Sequence, residues 1–189
     1  MIRTGETIEN HVTGERVVFR TTAADTQGEL VVIDVYVQPH GFVAATHLHP
    51  GQEERFHVIA GALEMLVGRE TVVARPGDVV LVPPGTPHRF RNAGDDTAHF
   101  VCEVRPALRF ESLLETMFAL AAAGKTNRKG MPNPLRLAVI AQAHFDTVRL
   151  PFPPAWMQRL GLAVGAPLGR LLGYEPAYEG VGAPPAFGI

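Results

Sequence analysis

Cysteine is nearly absent from this chain: Cys102 stands alone among 189 residues. A single thiol closes no internal disulfide and supplies no CxxC spacing, which excludes a disulfide-stapled scaffold and a thiolate metal cluster. An excess of either charge is missing as well. Seventeen basic against nineteen acidic side chains leave a formal charge of −2, so nothing in the balance calls for nucleic acid or an anionic membrane. Long apolar runs are also lacking, and no stretch reaches the roughly 18 uncharged apolar residues that a bilayer span requires. Met1 to Asn10 carries acids and threonines instead of the basic-then-apolar order of a secretory leader. These absences lead to the expectation of a cytoplasmic protein whose partner is a small molecule, with no role for nucleic acid or membrane.

What is present begins with apolar residues, 46% of the chain, enough for a buried core. Histidine is the other abundant signal. Six of the eight histidines fall between His40 and His99, and this side chain most often serves as metal ligand or proton carrier near neutral pH.

Periodicity divides the chain near Pro106. Before it lie short β-branched runs: Arg16–Arg20, Leu30–Gln38, Glu54–Ala60, Ala62–Val67, Thr71–Ala74, Asp78–Val82, His88–Arg91 and Thr97–Val104. Glycines punctuate them at 51, 61, 68, 77, 85 and 94, the pattern of antiparallel strands in a sandwich or barrel. The segments 59–62 and 66–69 read as tight connections between neighbouring strands, and Asn92 to Asp96 as a hairpin loop.

After Pro106 the period becomes helical. Phe110, Leu113, Leu114, Met117, Phe118 and Ala121 form one stripe, stopped by Gly124. Asn133-Pro134 predicts an N-cap and first helical position, opening a second helix that runs to about His144 or Val148. A third is expected from Pro153-Pro154, carrying Trp156, Leu160, Ala163 and Val164 until Pro167 and Gly169 disturb it. The Pro- and Gly-rich tail from Gly173 reads as irregular. The fold class is therefore mainly β, a barrel over residues 1–105, followed by about three short α-helices in an extension over 106–189. That extension is expected to pack on the barrel or on a partner subunit, since an apolar stripe must be buried somewhere.

The chemistry concentrates in a few residues. His47 and His49, two apart on an extended segment, point to one face and can converge on one ion. Glu54 follows five residues later, and His88 comes after the stiff Pro83-Pro84-Gly85-Thr86-Pro87 loop. Three neutral imidazoles and one carboxylate make a mixed N/O donor set suited to a first-row divalent metal. Strand alternation sends Glu53 to the face opposite Glu54.

On these residues the sequence resembles the cupin superfamily. The first motif of that family is a glycine, five residues, His-x-His, three or four residues, a glutamate, six residues and a glycine, matched by Gly41, His47, His49, Glu54 and Gly61. The second is a glycine, five residues, Pro-x-Gly, two residues, a histidine, three residues and an asparagine, matched by Gly77, Pro83, Gly85, His88 and Asn92. The resemblance runs from about Val31 to Val104. It implies a double-stranded β-helix, or jelly-roll, barrel with one divalent metal ion (Fe, Mn, Ni or Zn) in its mouth, held by His47, His49, Glu54 and His88. It also implies a homodimer, in which strands such as Arg16–Arg20 extend the partner's sheet.

Four further residues are candidates for lining the pocket. Phe56 and Phe90, at even offsets from Glu54 and His88, are expected to face the cavity, where core filling accounts for them equally well. His99 and Glu103 share one face of their strand, and the pattern leaves open whether that face points inward to orient a ligand or act as a base. His57, on the face opposite Glu54, is expected outside the cavity or between subunits. The functional expectation is a metalloenzyme of dioxygenase, isomerase or lyase type on a small organic substrate. The alternative is a non-catalytic binding or sensing protein with a structural or ligand-holding metal.

Overall fold

The computed structural model describes residues 2–178. Among these residues nine strands precede three helices. The strands are β1 (Thr7–Asn10), β2 (Glu15–Thr21), β3 (Val31–Val37), β4 (Glu53–Ala60), β5 (Leu63–Val67), β6 (Glu70–Ala74), β7 (Val79–Val82), β8 (His88–Asn92) and β9 (Ala98–Arg105). They form two antiparallel sheets. One has the order β1-β2-β3-β9-β4-β7 and the other β6-β5-β8. Phe42 and His47 bridge to Arg91 and His88, so the segment between them lies along the free side of β8.

Alternation decides what fills the space between the sheets. In β3, Val31, Ile33, Val35 and Val37 turn inward. In β9 the inward set is Ala98, Phe100, Cys102 and Val104, and all eight are buried. They meet Leu63 and Met65 of β5 and Phe56 and Val58 of β4 in one hydrophobic core. The chain crosses between sheets at Gly61, whose φ is +74°. A Cβ there would stand 2.8 Å from Ala98 Cα, so only glycine fits.

The structure corrects several expectations. Asn92 to Asp96 is no hairpin loop, because β8 and β9 belong to different sheets. Asn92 instead stabilises a crossing, its amide donating to the Val37 and Asp96 carbonyls and its oxygen accepting from Gly94 N. Residues 59–62 likewise link one sheet to the other, whereas Gly68-Arg69 does close a hairpin, between β5 and β6. Turn chemistry marks where a chain reverses and leaves the next strand's partner open. The strand β1 escaped the pattern because TIEN holds a single apolar residue at a sheet edge. Within the chain β2 pairs with β1 and β3.

The helices are α1 (Phe110–Ala122), α2 (Pro134–Ala143) and α3 (Ala155–Leu171). Phe110 and Phe118 of α1 join the barrel core, with Leu114 and Met117 packed against it, and Glu111 accepts from Ala23 N at 2.8 Å. Asn133 caps α2, accepting from Arg136 N at 3.0 Å. Contrary to the expected disturbance at Pro167 and Gly169, α3 runs through both. Packing against α2 overrides propensity there: a Cβ on Gly169 would lie 2.5 Å from Leu135 O, so the glycine permits close approach of the two helices. The opposite side of α3 is bare, with Trp156, Leu160, Val164 and Leu171 all more than 60% exposed. No described helix is long and apolar enough to cross a membrane. Of the tail read as irregular, residues 179–189 lie outside the described residues.

Candidate metal centre

Backbone pairing assembles the site before any side chain acts. His47 and His88 exchange both backbone hydrogen bonds, at 3.0 and 2.8 Å, and Gly85 N donates to His49 O at 2.8 Å. The His-x-His segment and the proline-rich loop are thereby clamped together. Glu54 reaches the same point from β4, and Glu54↔Val82 register places it beside the strand that leads into that loop. One donor atom from each of His47, His49, Glu54 and His88 lies within 4.8 Å of the others. His49, Glu54 and His88 are buried. Glu53 turns away, toward Arg55 at 3.7 Å.

The protonation pattern follows from hydrogen bonds. Each imidazole has its Nδ1 against a carbonyl oxygen: His47 on Ala45 O at 2.9 Å, His49 on Thr147 O at 2.6 Å and His88 on Thr86 O at 3.0 Å. A carbonyl can only accept, so each Nδ1 carries a proton and Nε2 is the atom each ring presents to the cluster. Those nitrogens meet a carboxylate. Nε2 of His88 is 2.7 Å from Glu54 Oε2 and Nε2 of His49 is 3.5 Å from Oε1, while His49 Nε2 and Glu54 Oε2 are buried without a hydrogen-bond partner. Converging acceptors in a dry interior are costly unless a cation lies between them, whether a proton or a metal ion.

The electrostatics agree. Burial, then the neighbouring His88 and His49, pushes the His47 imidazole down to about 3, so it is neutral and ready to coordinate. Burial would raise the Glu54 carboxyl, but His49, His88 and His47 outweigh it and hold it at about 2. Burial works to lower His88, and Glu54 reverses this and raises it. Three imidazoles and one anionic carboxylate are a donor set that fits a divalent ion of the first transition row.

The remaining candidates separate by strand register. Phe56 is buried inside, 6.4 Å from the His88 ring and 6.2 Å from Phe90. Phe90 lines a groove of about 400 Å³ with Phe42, Leu66, Arg89, Arg91 and Lys129, next to the loop residues Ala45 and Thr46 that precede His47. His99 and Glu103 stand on the other face of β9, away from the cluster. His99 Nε2 meets Asp34 Oδ1 at 2.6 Å and its ring stacks on Tyr36 at 4.2 Å, and Glu103 lies 3.7 Å from His57.

Three contributors have no counterpart in the sequence pattern. Gln52 places Oε1 3.2 Å from His49 Nδ1, Phe110 sets its ring 5.9 Å from that of His49, and Thr147 supplies a carbonyl. A buried amide within the first motif is a faint signal for Gln52, whereas a backbone carbonyl carries none.

Residues 27–104 match the model of the Cupin domain family. Among curated proteins, the chain is 38% identical over 86 residues to Protein SchB of Streptomyces halstedii, covering 46% of this chain and 60% of that protein. It is 38% identical over 60 residues to Polyketide synthase CurC of Streptomyces cyaneus, covering 32% and 39%. The matches thus span less than two thirds of either relative. Among solved structures, the RmlC-like cupin from Shewanella frigidimarina overlaps 57% of this chain and 88% of its own at 17% identity, with a TM-score of 0.49.

Proposed function

We propose that this chain, whose residues 27–104 match the Cupin domain family, is a metal-dependent enzyme acting on a small organic substrate at the His47, His49, Glu54 and His88 centre. One observation carries the reading: the Nδ1 protons of all three histidines are tied to carbonyls, which turns three Nε2 atoms toward one carboxylate. A divalent ion (Fe, Mn, Ni or Zn) at this donor set would supply Lewis-acid polarisation of a chelated substrate oxygen or, as Fe(II), a place for O₂ to react. The protein's own part is to keep the ligands neutral or anionic as required, hold them by backbone clamps and shield them from water.

The groove of Phe42, Arg89, Phe90 and Lys129 includes none of the four ligands, and Glu64, Leu66, Arg89 and Arg91 place it on the outer face of the small sheet, so the substrate class is left to experiment. Dioxygenase, isomerase and lyase chemistry are separated by one screen. Fe(II)-restored protein is tested for O₂ uptake on phenolic, flavonoid and diketone compounds, and the mixtures are read by NMR for isomerised or cleaved products. Turnover that disappears in His88→Ala, with the fold retained, is expected. Binding of such a compound with no product under any metal would instead establish a binding or sensing protein, a reading favoured by the near-complete burial of three of the four ligands.

We also propose a cytoplasmic homodimer, formed through the bare face of α3. Trp156, Leu160, Val164 and Leu168 recur every fourth residue there, and a contiguous exposed apolar stripe marks an interaction surface. Sedimentation should give a dimer in wild type and a monomer for Leu160→Glu/Leu168→Glu. A monomeric wild type would refute the assignment.

A further inference from the structure

We infer that residues 144–149, the segment following α2, are a positioning element of the metal centre that fixes the tautomer and orientation of His49 from outside the cupin domain. The inference rests on the metal-centre reading above, but it concerns residues that lie beyond the segment matched to the family, 27–104.

The attachment is made at the backbone. Leu48 and Arg149 exchange both hydrogen bonds, each 2.9 Å, one residue before His49. This bridge lays the segment alongside the His-x-His strand. Thr147 O then accepts from His49 Nδ1 at 2.6 Å, a contact spanning 98 positions in sequence. The other two histidines are treated differently. His47 and His88 find their carbonyls two residues away, at Ala45 and Thr86, within their own loops.

Gln52 joins the two halves. Its amide nitrogen donates to Pro106 O and Ala107 O at 2.8 and 3.0 Å, which fixes the amide so that Oε1 faces His49 Nδ1 at 3.2 Å. The start of the extension and its 144–149 segment therefore hold the same imidazole. The segment is itself braced: Thr147 N and Val148 N both donate to His144 O at 2.9 Å, and Arg149 Nε donates to Phe145 O at 2.8 Å. Gln52, His144 and Thr147 are all buried. Such supports keep a ligand ring in one tautomer and one rotation, and their loss typically costs about 10–100-fold in metal affinity.

Two measurements on the full chain test the inference. In the metal-free protein, long-range ¹H–¹⁵N NMR of the imidazoles is expected to find His49 as the Nδ1–H tautomer, with that proton protected from exchange. An Nε2–H tautomer would overturn it, whatever the protein binds. In the second, Co(II) is titrated against a chelator. Arg149→Pro, which removes the N–H given to Leu48 O, and Gln52→Leu are each expected to weaken Co(II) about 10–100-fold and alter its visible spectrum. Arg55→Ala, on the outer face of β4, should leave both unchanged. Wild-type affinity and spectrum in both variants would refute the role. If Arg149→Pro fails to fold, Gln52→Leu and the tautomer decide. If wild type takes up no Co(II), the metal-centre reading fails, and the NMR result still judges the 144–149 segment.

Discussion

The barrel and its helical extension bury their apolar residues by different means. In the barrel, alternate residues of β3, β4, β5 and β9 meet across two sheets, and the core closes on itself. The extension does not close: α1 completes the barrel core with Phe110 and Phe118, while α3 keeps one face on α2 and leaves Trp156, Leu160, Val164 and Leu171 bare. The difference shows that one region is built around its own interior, whereas the other is built to finish surfaces, including the surround of His49.

The largest effect that sharpens this contrast is a cavity in the barrel. Phe100, 1% exposed and packed on Phe56 and Phe90, should cost about 3–5 kcal/mol when changed to alanine, read by chemical denaturation. Leu160→Ala on the bare face should stay within about 0.5 kcal/mol for the monomer. Equal losses at the two positions would break the comparison.

Next in size is the α2–α3 contact. Gly169→Ala forces a methyl against Leu135 O and Val139, and the overpacking should cost about 1–3 kcal/mol. Hydrogen exchange is expected to rise in α2 and α3 and to stay at the wild-type level in β3 and β9. Uniform change across both regions would mean that they unfold as one unit.

The smallest effect lies on the outer face of the large sheet, and it depends on pH. Burial opposes the Asp34 carboxylate, but hydrogen bonds from Arg20 and His99 outweigh it and hold its pKa below the ordinary value. A carboxyl depressed in the folded state adds stability above its unfolded pKa and loses it as pH falls through the folded one. Stability of the wild type should therefore fall on acidification below about pH 4. Asp34→Asn should begin about 1 kcal/mol lower at neutral pH and lose less on acidification. A mutant curve parallel to the wild type would remove Asp34 from the account.

The two regions also differ in how legible they are. Strand identity followed from β-branched runs, and His47, His49, Glu54 and His88 could be picked out because ligand spacing is set locally by alternation and by the proline-rich loop. Sheet assignment was not legible: Asn92 to Asp96 reads as a hairpin loop, whereas the crossing it makes is held by bonds such as Asn92 to Val37 O, from a strand far off in sequence. The inward face of β9 was equally open until register with β3 put His99 beside Asp34. In the extension, Pro167 argued for a helix end that packing overrode. Thr147 acts through its carbonyl, which every residue possesses, so no pattern of side chains could single it out.

The central claim is that the four convergent side chains form a metal centre, and metal content tests it most directly. The chain is purified without chelator and analysed by elemental mass spectrometry beside His88→Ala. The account predicts close to one first-row transition metal per wild-type chain, and loss of that metal in a variant that remains folded. A stable wild type carrying no such metal and taking none up on exposure to Fe(II), Mn(II), Ni(II) or Zn(II), or a His88→Ala chain that keeps its full complement, would contradict it.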